Sequence, residues 1–135
     1  MTLEQQRAAM AFDHLKAVTD EKDRKVYGAM ALKLPALIRA AGLCQALHFV
    51  KSRKKPPLDH LLDHVALQLK RVDSKIADMN SLCEQTRKAD VAGYVWLTRE
   101  ALASVTWYGR LARSEWGIDP SQDPGDIGSA REDKS

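Results

Sequence analysis

The chain has little of several residue types on which particular chemistries depend. Two cysteines, Cys44 and Cys83, occur in 135 residues. They lie far apart and outside any CxxC spacing, which argues against a disulfide scaffold and a cysteine-based metal centre; reduced thiols in a cytoplasmic protein are the expectation. The seven glycines are scattered. None forms a phosphate-cradling run, Gly42 stands alone in the central block, and no serine sits in a nucleophile elbow. No apolar run approaches the roughly 18 residues of a membrane span. The opening MTLEQQRAAMAF lacks the basic start and apolar centre of a secretory signal. Alternating strand patterns, hairpin dipeptides between apolar runs and internal repeats are also missing.

What the chain does have is helical periodicity and an uneven charge. At 44% hydrophobic and 29% charged residues it suits one compact globular domain. Residues 1–60 hold 11 Lys/Arg against 6 Asp/Glu, residues 61–118 hold 8 against 7, and residues 119–135 hold 2 against 5. The positive surplus belongs to the first half and permits a polyanionic partner.

The pattern predicts an all-α fold: a single compact bundle of about six helices over residues 1–117, with a long C-terminal helix. Thr2 and Gln5 form a capping box for a first helix of about Leu3–Val18, with Ala8, Phe12 and Leu15 on one face. Asp23 is the expected cap of a second helix carrying Val26, Met30, Leu34, Leu37 and Ala41, with a kink at Pro35 and a left-handed cap at Gly42. Leu43 restarts the pattern at once. SRKKPP, residues 52–57, ends the third helix and Pro57 opens a fourth, reaching about Val72. A less regular stretch near Ile76, Met79 and Leu82 follows, weakened by Asn80 and Ser81. Asp90 then caps a helix ending near Gly117. In that last helix Val91, Val95, Leu102 and Val105 line one side and Trp96, Trp107 and Leu111 the other, as expected of a central helix. Residues 118–135, rich in Gly, Pro, Ser and Asp, read as a flexible acidic tail.

Candidate sites are few. His60 and His64 of DHLLDH have a metal-ligand spacing, but helical counting puts both opposite the leucines, on a solvated polar face beside Arg71. The pairs Arg7…His14 and Arg53…His60 fit the loose pattern of HEPN-type helical ribonucleases, and Arg7 and His14 share a helix side. Most carboxylates lie beside Lys or Arg, as solvated ion pairs do. Lys25, Lys33 and Arg39 form an outward stripe on the second helix, and Arg53, Lys54 and Lys55 a second basic cluster suited to phosphate oxygens.

Gln6-Arg7-Ala8-Ala9, Tyr27-Gly28, the block KLPALIRAAGLCQALHFVK over residues 33–51, and Arg99-Glu100-Ala101-Leu102 with Trp107 and Arg110 resemble the small α-helical subunit of the Cmr complex, the type III-B CRISPR effector. The likeness covers about residues 4–51 and 91–113. It implies a non-catalytic, cofactor-free and metal-free subunit that stacks along the backbone filament of the Cmr effector. Its other implied partner is the target RNA that pairs with the guide, contact with the guide RNA itself being left open; membranes have no part. Arg7 and Arg39 come to an RNA-binding set through the matched blocks; Lys25, Lys33, Lys51, Arg53, Lys54 and Lys55 come from charge and face. The alternatives are a HEPN-like ribonuclease and a helical adaptor that binds only protein.

Overall fold

The computed structural model describes residues 1–119 and 121, and among these it contains six α-helices and no strand. They are α1 (Leu3–Lys16), α2 (Glu21–Ala41), α3 (Leu43–Ser52), α4 (Pro56–Leu69), α5 (Met79–Lys88) and α6 (Val91–Trp116). The fold is all-α, as the periodicity predicts. The stretch expected to form the acidic tail lies, apart from Ile118, Asp119 and Ser121, outside the described residues.

Local signals set most helix ends. Thr2 and Gln5 exchange side-chain and backbone hydrogen bonds in the expected capping box, and Asp90 caps α6 by accepting from the Gly93 amide at 2.8 Å. Gly117, at φ 67° and ψ 27°, ends α6 in the left-handed conformation. Several ends differ from expectation. The N-cap position of α2 is Asp20 rather than Asp23, and its side chain accepts no capping hydrogen bond; the polar run TDEKDRK offers several eligible residues. Helix α4 starts at Pro56, one residue early, and ends at Leu69 rather than near Val72. Ser81 does not weaken α5 but builds its start: Asp78 accepts from the Ser81 amide while the Ser81 hydroxyl accepts from the Asp78 amide.

The segment KLPALIRAAGLCQ turns one helix directly into the next. Helix α2 stays helical through Pro35 as far as Ala41. Gly42 is at once the last cap of α2 and the first of α3, at φ 92° and ψ 154°. That is not the left-handed helical cap expected but an extended region open in practice to glycine alone. The Tyr94 hydroxyl, from α6, accepts from the Cys44 amide at 2.9 Å and satisfies a donor at the start of α3.

The core is built around the packing of α2 on α6, with α1 and α4 closing it and α3 and α5 covering α4. Tyr27, Met30, Leu34 and Ile38 of α2 are buried, as are Leu97, Ala101, Val105, Tyr108 and Ala112 of α6. The long helix is central, but its faces are not those expected. Of the two lines proposed for it, Val91 is 82% exposed and Val95 and Trp96 more than two-fifths exposed, while only Val105 is fully buried. The buried stripe instead follows Leu97, Ala101, Ser104 and Tyr108, at the three-and-four spacing of a single face.

Candidate nucleic-acid interface

Helices α2 and α6 pack closely enough to leave a shallow groove along one outer side. It is lined by Ala31, Leu32, Pro35 and Arg39 of α2 and by Thr106, Gly109, Arg110 and Arg113 of α6, and encloses about 250 Å³. Gly109 is what permits the approach, since a first side-chain carbon there would stand 3.1 Å from the Ala31 carbonyl oxygen and 3.4 Å from the Leu32 Cα. Three arginines therefore rim one groove whose floor is small and apolar.

The three guanidinium groups come from rigid helices and are exposed. Among the described residues none of them is held in a salt bridge. Arg110 lies over the Trp107 ring, its guanidinium carbon 5.2 Å from the centroid, which restricts its rotation. Trp107 is anchored in turn by donating to a Glu4 carboxylate oxygen at 3.0 Å. That bond, the Arg7 guanidinium and the charges of Arg7 and Arg110 hold the Glu4 carboxyl below its ordinary range. Planar, bidentate donors in such an array suit phosphate oxygens.

The residues expected to contact RNA are distributed as follows. Arg39 lines the groove. Lys33 stands on the neighbouring side of α2, where it lines a recess with Ala36, Leu37 and Phe49; the Arg53 guanidinium lies over the Phe49 ring, 6.0 Å from its centroid. Lys25 sits toward the far end of α2, near Glu115 and Trp116, and pairs at 4.0 Å with Glu21. Lys51 turns to α5, donating to Asn80 Oδ1 at 2.8 Å, and so leaves the α2 side. Lys54 occupies the α3–α4 turn at φ 55°, with Lys55 next to it capping α4.

Arg7 is a correction. Only 8% of it is exposed, and its guanidinium donates to Glu4 at 2.8 Å and to Glu100 of α6 at 2.6 Å. It is an internal tie between α1 and α6, closed to a strand outside. Arg110 and Arg113 line the groove beside Arg39 instead; in the sequence Arg110 stands out only within the matched motif of α6, without an RNA role, and Arg113 is not singled out.

The histidine readings change as well. His60 is exposed as expected, but His64 is not on a solvated face. Its ring stacks on His14 with centroids 4.1 Å apart and planes within 10°, and its Nδ1 meets the Tyr27 hydroxyl at 2.7 Å. His14 Nδ1 meets the Tyr108 hydroxyl at 2.6 Å. Four helices thus join through two imidazole–phenol pairs. Burial lowers the pKa of both imidazoles, that of His64 to about 3 with help from the His14 and His60 charges. Arg7 turns to Glu4 and Glu100, whereas His14 turns to Tyr108. Among the described residues no cluster of His, Cys, Asp or Glu could hold a metal, and no helix is long and apolar enough to cross a membrane. Both cysteines are free, with Cys83 buried and Cys44 half-buried.

Comparison with known proteins decides the family. The model of the CRISPR-associated protein family Cas_Cmr5 matches residues 3–115, which span all six helices apart from the last residue of α6. The chain belongs to the Cas_Cmr5 family. It is 38% identical over 107 residues, 79% of its own length and 90% of the relative's, to the CRISPR system Cmr subunit Cmr5 of Thermus thermophilus. Its fold matches the crystal structure of a CRISPR-associated Cmr5 family protein, also from Thermus thermophilus, with a TM-score of 0.75 and 37% identity, covering 84% of this chain and 97% of that one. The residues that tie the helices together here, Arg7, Tyr27, His14, His64, Glu100 and Tyr108, all lie inside the matched span.

Proposed function

We propose that this protein is the small helical subunit of a cytoplasmic Cmr effector complex and contacts its target RNA through the α2–α6 arginine groove, breaking no bond itself. One observation carries the reading: Arg39, Arg110 and Arg113, from two helices distant in sequence, rim a single groove with no acidic side chain among its lining residues. Rigid mounting lowers the ordering cost of meeting a phosphate backbone. The groove's mainly apolar floor and arginine rim suit contact with the phosphate backbone rather than with base edges, so contact is sequence-tolerant, as a subunit facing any target requires.

Stacking along the filament is supported by a different surface. Val91, Val95 and Trp96 are exposed on the first half of α6, and Trp is enriched among residues that anchor protein interfaces. The separate dispositions of Arg7 and His14 support the absence of ribonuclease activity.

The test is fluorescence anisotropy of a labelled single-stranded RNA with the wild type and the R39E/R110E/R113E variant. The reading expects binding by the wild type and loss of more than about tenfold in the variant, with helicity unchanged; retained affinity overturns it.

A further inference from the structure

The second recess, on the neighbouring side of α2, has an unusual lining. Phe49 of α3 is 43% exposed, although its neighbours Ala46, Leu47 and Val50 are fully buried. An exposed aromatic carries no meaning alone. Here it stands over a cavity of about 370 Å³ whose other walls are Lys33, Ala36 and Leu37 of α2, at the low end of the size range of small-molecule sites. The Arg53 guanidinium lies 6.0 Å from the Phe49 centroid. The site therefore combines an apolar floor, a lysine in its wall and an aromatic plane with one face left beside the arginine that lies over the other.

That combination fits one chemistry better than others. An apolar peptide side chain would use the floor but not the cations, and a carboxylate or free phosphate the cations but not the floor. A nucleotide carries both a π-faced base and an anionic phosphate. Residues 32–39 of α2 form the wall between the two recesses: Leu32, Pro35 and Arg39 face the arginine groove, while Lys33, Ala36 and Leu37 face Phe49. A strand crossing this wall meets arginines on one side and the aromatic ring on the other.

We propose that Phe49 is a stacking platform for one unpaired base of single-stranded RNA, with Lys33 and Arg53 meeting the phosphates that flank it. The inference rests on the reading that this side of the protein faces RNA, and it adds a base contact that the arginine groove lacks. Stacking on an aromatic ring tolerates any base, so it adds affinity for unpaired strands without reading their sequence. A fully paired duplex, whose bases are occupied, gains nothing from it.

The experiment measures binding of two strands of equal length, an ordinary single-stranded RNA and one in which abasic ribose units replace the central nucleotides. Phe49→Ala is expected to weaken binding of the ordinary strand about tenfold and leave the abasic strand unaffected, while Phe49→Trp keeps both affinities. The R39E/R110E/R113E variant weakens both strands alike. Equal loss on the two strands, or no loss on either, overturns the stacking site. Unchanged RNA binding with altered self-association in Phe49→Ala also overturns it, by making the recess a protein contact. Failure of the wild type to bind either strand instead overturns the reading on which the site rests.

Discussion

The Ala31 carbonyl oxygen faces Gly109 across the α2–α6 seam, 3.1 Å from where the first carbon of a side chain would stand. Pro35, four residues after Ala31, has no amide hydrogen to offer that carbonyl, which leaves it out of the usual helical ladder. Gly109 is the residue that lets the freed oxygen approach the next helix. Proline and glycine, 74 positions apart in the chain, act as one device, and the same pair floors the arginine groove.

Gly109→Val is accordingly expected to destabilise the fold by about 1–3 kcal/mol, the usual cost of overpacking a tight contact. The neighbour is backbone and cannot move aside as a flexible side chain would. Urea unfolding followed by circular dichroism measures it; an unchanged midpoint would show that the seam has slack.

The stacked pair of His14 and His64 makes stability depend on pH. Both imidazoles have folded pKa values below the ordinary 6.5, mainly through burial, so the folded state binds fewer protons than the unfolded one. Their contribution is fully present above about pH 6.5 and is lost as the pH falls below it toward the folded values, that of His64 being about 3. Asp13 acts in the opposite sense on His14, and His60 in the same sense on His64. The melting temperature is expected to fall by several degrees between pH 7.5 and 5, and by less in a His14→Phe/His64→Phe double variant. Parallel pH profiles for the two proteins would refute this.

Arg7→Ala leaves Glu100, whose side chain is 16% exposed, without its cation. Breaking a buried pair from one side costs roughly 3 kcal/mol or more. The variant is expected to unfold at lower urea, and adding Glu100→Leu is expected to restore much of the loss. RNA affinity of the folded Arg7→Ala protein is expected to stay within about twofold of wild type, because the side chain is internal; a loss as large as that of the groove variant would return Arg7 to the interface.

Helix existence was legible because each helix has its own periodicity and punctuation: the Thr2–Gln5 box, the Pro56-Pro57 start, Asp90 and Gly117 all act within a few residues of themselves. Which face of a helix is covered depends on neighbours that periodicity does not see. His64 looks polar when α4 is taken alone, yet α1, α2 and α6 each bring an aromatic ring to it. Val95 and Trp96 look like core for the converse reason. The groove was half legible: Arg39 stood out by charge and face, whereas Arg110 and Arg113 join it only through the packing of α6 on α2, which no local signal encodes. Arg7 carried the matched motif but not the inferred role, since its partner Glu100 lies 93 residues away.

The salt dependence of RNA binding tests the central claim most directly. Each phosphate neutralised on a single strand contributes about −0.7 to the slope of log affinity against log salt. Three groove arginines predict that the R39E/R110E/R113E variant loses roughly 2 units of slope relative to the wild type. Equal slopes for the two proteins would contradict the assignment of the α2–α6 groove to the RNA backbone.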